Sequence, residues 1–283
     1  MIKMIRVGTA GMDDSFKLAG YKSNIKVPEY LSKMGLCAYE YQCGRGVRLS
    51  AETKENFAKN AKEYDIAVSL HAPYYISMSS VDAIKRVNSV NYIMESAKAV
   101  KILGGKRVIF HTGSCAKISR ETALIYAKET LELALNTLKE NEISDIILCP
   151  ETMGKINQLG TLDEVIEMCK LSEIVYPCVD FGHINAREQG SLKAIEDFDK
   201  ILMKIKNELG SEKLCHMHMH FSKIEYTVGG EKKHLTFEDT VFGPNFPLLG
   251  ELILKHNMEP TIICESDNTQ VKDAQFMAEY LRK

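Results

Sequence analysis

Residues 214–221 read LCHMHMHF, and how this stretch folds decides the architecture of the chain. His216, His218 and His220 are two residues apart, so in an extended strand they share one face, while Met217, Met219 and Phe221 take the other. The outer face of a parallel barrel packs against helices and must be apolar, which sends the three imidazoles inward. His220 then lies nearest the C-terminal rim and reads as a ligand. His216 and His218, deeper in the wall, read as hydrogen-bonded filling of the barrel interior.

Five other short apolar runs end in, or feed into, a residue type that binds metals. VSLH closes on His71, VIFH on His111, IILCPE on Glu151 and YPCVD on Asp180, with His183 three residues further on. The Glu231/His234 pair follows the histidine-rich run, and IICE closes on Glu265. Burying such side chains unpaired costs several kcal/mol, so their recurrence at run ends points to a shared use. The full set of strand-like runs is 5–10, 37–42, 66–72, 107–112, 145–151, 174–180, 214–221 and 261–265. Helix-length segments with 3.6-type apolar spacing lie between them, for example 50–64, 81–103, 119–140 and 191–209. Gly104-Gly105 is a natural stop after the second of these. Alternation of this kind means parallel strands, and eight units without a second composition block predict a closed (β/α)₈ TIM barrel in a single domain, residues 1–283. An open doubly wound sheet is the competing arrangement, weakened because no G-x-G-x-x-G follows the first strand.

The composition agrees with one globular enzyme. The 283 residues are 45% apolar and 26% charged, with a formal net charge of −2. That balance excludes a polycation that holds nucleic acid by bulk charge. It leaves open a partner drawn to bound cations, which the sequence count omits. The eight cysteines are scattered without a C-x-x-C pair, and several sit inside strand-like runs. They read as reduced, buried side chains in a cytoplasmic protein. The opening MIKMIRVGTA is too short in its apolar stretch for a signal peptide, and no run approaches the length of a membrane span.

Imidazoles and carboxylates without a thiolate cluster suit Zn²⁺, or Mn²⁺ or Fe²⁺. Nine candidate ligands (His71, His111, Glu151, Asp180, His183, His220, Glu231, His234 and Glu265) exceed the needs of one tetrahedral ion. A carboxylate bridges two ions readily, so the count suits two or three. Closely spaced ions are suited to phosphoryl chemistry, where they activate water and stabilise both the attacking and the leaving oxygen. His256, in LILKHNM, follows no strand and reads as an ordinary helix-end histidine.

The ordered set HAPYY (71–75), HTGS (111–114), PETMG (150–154), DFGH (180–183), HMHFSK (218–223) and CES (264–266) resembles the endonuclease IV family. These are trizinc apurinic/apyrimidinic endonucleases built on a TIM barrel, and the resemblance runs from the first strand to the last helix. It implies that His71, His111 and Glu151 hold one zinc. Glu151 would bridge to a second held by Asp180, His220 and Glu265, and His183 and His234 would hold a third. Glu151 and Glu265 would also orient the attacking water. The chain departs from the family's Asp-x-His where it reads Glu231-Lys-Lys-His234. Glu231 is therefore either a third-metal ligand or part of a solvated charged loop.

The resemblance also implies a partner, double-stranded DNA containing abasic sites, bound by a monomer. Arg45, Tyr74 and Tyr75 match positions that enter the gap left by a flipped-out nucleotide; Tyr75 stands where the family often has an aliphatic residue. An aromatic or guanidinium plane there replaces lost base stacking, and flipping costs least where a base is already missing. Rim packing is the plainer role for the two tyrosines. Lys117, Arg120, Lys155, Lys223, Lys232 and Lys233 fall in or near rim loops, where they would meet phosphates. The implied reaction is hydrolysis 5′ to the abasic site, leaving a 3′-hydroxyl and a 5′-deoxyribose phosphate. Two other classes remain. A sugar isomerase or epimerase of the xylose-isomerase-like type needs one or two ions on the same barrel, and a lesion-binding protein would hold abasic DNA without cutting it.

Overall fold

A computed structural model describes residues 5–115, 117–143 and 145–282; the first four residues of the opening run lie outside it. Ten strands occur among them: β1 Arg6–Ala10, β2 Ala38–Gln42, β3 Ala67–His71, β4 Arg107–Phe110, β5 Ile147–Pro150, β6 Cys178–Asp180, β7 His218–Phe221, β8 Lys223–Thr227, β9 Gly230–Leu235 and β10 Thr261–Cys264. The helices are α1 Asp14–Leu18, α2 Val27–Lys33, α3 Ala51–Glu63, α4 Ala83–Ile102, α5 Arg120–Glu140, α6 Leu162–Cys169, α7 Phe181–Arg187, α8 Ile195–Cys215, α9 Phe246–Lys255 and α10 Gln270–Leu281.

Eight strands pair in parallel in the order β5-β4-β3-β2-β1-β10-β7-β6. β1 pairs with both β2 and β10, which an open sheet beginning at that strand would not allow. The remaining seam, between β5 and β6, is joined by parallel bridges Leu148–Val175 and Glu151–Cys178. The arrangement is the expected (β/α)₈ barrel. No helix among the described residues is long and apolar enough to cross a membrane.

Each strand divides its residues between the two sides of the wall. Met217, Met219 and Phe221 pack into the large cluster between barrel and helices, as do Val108, Phe110, Leu148 and Val179. Ile109, Cys149 and Cys178 form a separate cluster on the other face, with His218 and His220 fully buried. The helices start where the capping rules place them. Ser119 accepts a hydrogen bond from the Thr122 amide at the head of α5, and Thr161 and Glu164 form a capping box on α6. Gly104 follows α4 with φ +80°.

Packing is closest where β1 meets β2. A Cβ built on Gly8 would stand 1.7 Å from the Ala38 carbonyl oxygen. Because that obstacle is backbone, the neighbouring strand would have to move. Gly8→Ala is expected to cost about 3 kcal/mol or more, read as a shifted midpoint in urea unfolding followed by circular dichroism. A wild-type midpoint would show that the β1–β2 seam yields more easily than this contact implies.

Three features depart most from the sequence expectation. Leu214 and Cys215 belong to α8, which bends at Gly210 (φ +86°) and carries on for another turn. His216 follows that helix as its C-cap, with its ring half exposed and 3.6 Å from Glu212. It does not enter the barrel. Of 174–180 only Cys178–Asp180 is regular strand. Finally, residues 223–235 form an antiparallel hairpin, β8–β9, on the rim after β7.

Candidate metal centre

The strands deliver their last residues to one end of the barrel, and side-chain hydrogen bonds fix which atom each one presents. His71 Nδ1–H donates to the Ala72 carbonyl at 3.0 Å. Its Nε2 is thereby turned into the cluster, 3.2 Å from Glu151 Oε2. His111, just past β4, places its own Nε2 3.2 Å from the same oxygen. The other Glu151 oxygen, Oε1, lies 3.1 Å from His220 Nδ1, which is in turn 3.5 Å from Glu265 Oε2. Asp180 ends β6 and caps α7, with Oδ1 accepting from the His183 amide at 2.8 Å. Its Oδ2 is buried without a hydrogen-bond partner.

A third group is built by α7 and the hairpin. His183 Nδ1–H donates to the Thr152 carbonyl at 2.9 Å, turning Nε2 toward Glu231 Oε2 at 3.4 Å. His234 Nδ1 is 2.8 Å from Ser222 Oγ, and its ring centroid is 5.6 Å from that of His183. Glu231 and His234 are three residues apart, which in a regular strand would put them on opposite faces. In the hairpin Tyr226 opposes Glu231 and Glu225 opposes Lys233, so Lys232 is an extra residue. This β-bulge restores a common face. Glu231-Lys-Lys-His234 therefore acts in space as two residues at i and i+2, and the solvated-loop reading of Glu231 falls away.

Three sets of donor atoms thus gather, each within 4.8 Å of one another: His71, His111 and Glu151; Glu151, Asp180, His220 and Glu265; and His183, Glu231 and His234. Four bonds of about 2.0 Å in a tetrahedron imply donor–donor edges of roughly 3.3 Å. The separations of 3.1–3.5 Å measured above fit that requirement. The Asp180 Oδ2 oxygen fits it too: it is buried, makes no hydrogen bond and has His183 Nδ1 3.3 Å away, so a cation would complete its surroundings. All nine residues proposed as ligands from the sequence meet in these three sets.

The electrostatics also favour cations. Burial alone would lower the proton affinity of His220 and His183, yet the surrounding acids, among them Glu40, Glu151 and Glu265 for His220 and Asp180, Glu151 and Glu231 for His183, hold both well above the usual imidazole range. A potential that attracts a proton attracts a divalent ion. Burial would push Glu151 up, but His220, His111 and His183 outweigh it and keep the carboxyl well below its ordinary value. Glu265 behaves oppositely, because burial is only partly offset by His220 and His234 and its carboxyl is raised.

The donors open into a cavity of about 420 Å³ whose further walls include Gln42, Tyr74, Met153, Lys155 and Gln158. Tyr74 is 63% exposed, its ring 5.5 Å from that of His111 and packed over Gly44. Arg45 is exposed in the same turn. Tyr75 is also exposed, but its ring is tilted against Tyr92 at 5.7 Å and does not line the cavity. Of the basic residues assigned to phosphates, Lys155 lines the cavity. Arg120 does not reach it: the guanidinium is spent on Glu164 and the Ile156 and Gln158 carbonyls. Lys223 is likewise occupied by the Phe237 and Asp239 carbonyls, and Lys232 pairs with Glu225. His256 ends α9 and meets Asp199, as a helix-end histidine would.

One buried residue escaped the sequence reading. Glu40, inside β2, is fully buried and reaches across the barrel to His218 Nε2 at 2.9 Å and His220 Nε2 at 3.1 Å. The signal was a glutamate in the middle of the apolar run CAYEYQ. Burial brings His218 down to about 4, so it is neutral filling, as expected.

Comparison with known proteins places this centre in context. The chain is 36% identical over 265 residues to an uncharacterized protein of Methanocaldococcus jannaschii, covering 93% of this chain and 92% of the relative. It is 30% identical over 172 residues to a probable endonuclease 4 of Mycoplasma pneumoniae, spanning 58% of this chain and 55% of that protein. Among solved structures, a D-tagatose 3-epimerase-like protein superposes with a TM-score of 0.72 at 18% identity, covering 98% of this chain and 97% of the other. Endonuclease IV from Thermus thermophilus gives 0.68 at 17% identity, with coverages of 98% and 97%. These structural likenesses are of fold alone. Residues 28–283 match the family described as the xylose isomerase-like TIM barrel, and the chain belongs to that family.

Proposed function

We propose that the protein is a metal-dependent DNA repair endonuclease of the endonuclease IV kind. It would hydrolyse the phosphodiester 5′ to an abasic site and leave a 3′-hydroxyl and a 5′-deoxyribose phosphate. The observation that carries this reading is the third donor set, His183, Glu231 and His234, open to the same cavity as the two sets that share Glu151. A third ion suits a phosphodiester, which has attacking, leaving and non-bridging oxygens to neutralise. It has no evident task in the enolisation that a sugar epimerase performs. The partial sequence likeness to an endonuclease 4 supports the same side.

When bound, two or three Zn²⁺ ions, or Mn²⁺ or Fe²⁺ in their place, supply an activated water and charge stabilisation at the phosphate. The protein's own groups do the rest. Glu151 and Glu265 border the space where the water must sit and orient it as hydrogen-bond acceptors. Lys155 at the cavity wall meets a phosphate oxygen, and Tyr74 with Arg45 covers the stack left open when the abasic nucleotide leaves the helix. The protein acts as a monomer on duplex DNA.

The test is incubation of the purified, metal-replete protein with a duplex carrying one abasic-site analogue, resolved on a denaturing gel. A single cut on the 5′ side leaving an extendable 3′ end is expected. An uncut duplex, together with epimerisation of a ketohexose by the same preparation, would transfer the site to the sugar epimerase reading.

A further inference from the structure

Directly beneath the centre lies a layer that no ligand assignment uses. Glu40 sits at the middle of the barrel with no exposed surface. Its Oε2 accepts from Ser69 Oγ at 3.0 Å and from His218 Nε2 at 2.9 Å, and its Oε1 accepts from Gln42 Nε2 at 3.2 Å. Oε1 also stands 3.1 Å from His220 Nε2. An apolar side chain such as Ile109, at an interior position of β4, would fill this space without the several kcal/mol that burying a carboxylate costs. The charge therefore calls for a reason beyond packing.

His220 supplies it. The ring stands among three carboxylates: Nδ1 lies 3.1 Å from Glu151 and 3.5 Å from Glu265, and Nε2, buried without an aligned hydrogen bond, lies 3.1 Å from Glu40. Metal-binding histidines present the second ring nitrogen to a carboxylate or carbonyl, which fixes the tautomer and makes the first a stronger donor. His71 and His183 use the Ala72 and Thr152 carbonyls in that way. His220 has Glu40.

We propose that Glu40 is a positioning residue that sets the metal affinity of the Glu151–Asp180–His220–Glu265 site from across the barrel. It holds the proton of His220 on Nε2 and keeps Nδ1 facing the ion. The inference rests on the metal-centre part of the functional reading and not on the choice of substrate. The donor atoms of Cys178, His218 and His220 also lie within 4.8 Å of one another. We assign no ion there, because the Nε2 atoms of both histidines already face Glu40, 2.9 and 3.1 Å away. The outer site of His183, Glu231 and His234 has no contact with Glu40 and serves as an internal control.

The test is Glu40→Gln, with Glu40→Asp as a companion that keeps the buried charge but withdraws it from His220. Apo-protein is titrated with Co²⁺ and the visible spectrum recorded, then the loaded protein is challenged with increasing chelator while retained ions are counted. In E40Q one equivalent is expected to leave at roughly 10- to 100-fold lower chelator concentration than in wild type. The outer equivalent should be unmoved, and E40D should fall between. Should E40Q fail to fold, as judged by circular dichroism, E40D decides. Wild-type retention of every equivalent in a folded variant would overturn the positioning role while leaving the metal centre intact. A wild-type protein that binds no ion would overturn the metal centre and this inference with it.

Discussion

Glu151→Gln is expected to strip the protein of two metal equivalents at once and to lower the rate of abasic-site incision on the order of a thousandfold or more. The reason is geometric. One carboxylate oxygen stands 3.2 Å from both His71 and His111, and the other stands 3.1 Å from His220. Glutamine has the same shape but offers one oxygen and one N–H₂ group. Whichever way it is turned, one of the two donor sets faces a hydrogen-bond donor where a cation was to be held. The negative charge also falls by one in a pocket where the bound cations need neutralising. The substitution is isosteric and fully buried, so the barrel should survive it. Metal content by elemental analysis, circular dichroism and incision rate are the three measurements. A folded E151Q protein that keeps its full metal complement would remove the bridging role assigned to Glu151.

The rim donors were legible in the sequence for a reason that applies strand by strand. A residue that ends a parallel strand reaches the C-terminal mouth whatever the details of the turn after it. Hence His71, His111, Glu151, Asp180 and Glu265 could be placed from the runs they close. The period-two alternation of 217–221 was equally robust, because only an apolar outer face packs against helices. The failures have physical causes as well. His216 lies on the same alternation, yet the helix before it continues past the bend at Gly210 and takes Leu214 and Cys215 with it. Local period cannot say where one element yields to the next.

Glu40 was invisible as a partner of His220 because the two lie far apart along the chain and sit on strands that do not pair. Only closure of the barrel brings them to 3.1 Å. The hairpin hid its meaning differently. EKKH reads as a polar loop because the bulge at Lys232 breaks the alternation that would reveal a strand. An inserted residue was compensated by the backbone, and spacing alone does not record that.

That bulge makes the third site a sharp test of the reaction. His234→Ala is expected to lose one metal equivalent, keep the others, and lower incision on the order of a hundredfold. His234 is one of only three side chains in its set, and it lies at least partly open on a two-stranded hairpin, so nothing nearby replaces its donor. Gly154→Ala reaches the same site without touching a ligand. A Cβ there would fall 2.6 Å from Glu231 Cβ and 3.0 Å from His183 Cδ2, pushing the hairpin outward and pulling the set apart. Both variants should leave the two inner sites filled, because Glu151, Asp180, His220 and Glu265 hang from barrel strands that the hairpin does not support. If the third ion neutralises charge on the cleaved phosphodiester, the loss must show in turnover with abasic DNA. Should either variant lose its ion and still cut at the wild-type rate, phosphodiester cleavage would need only the inner pair. The argument that separates this centre from a sugar epimerase would then have to rest on substrate contacts such as Tyr74 and Lys155.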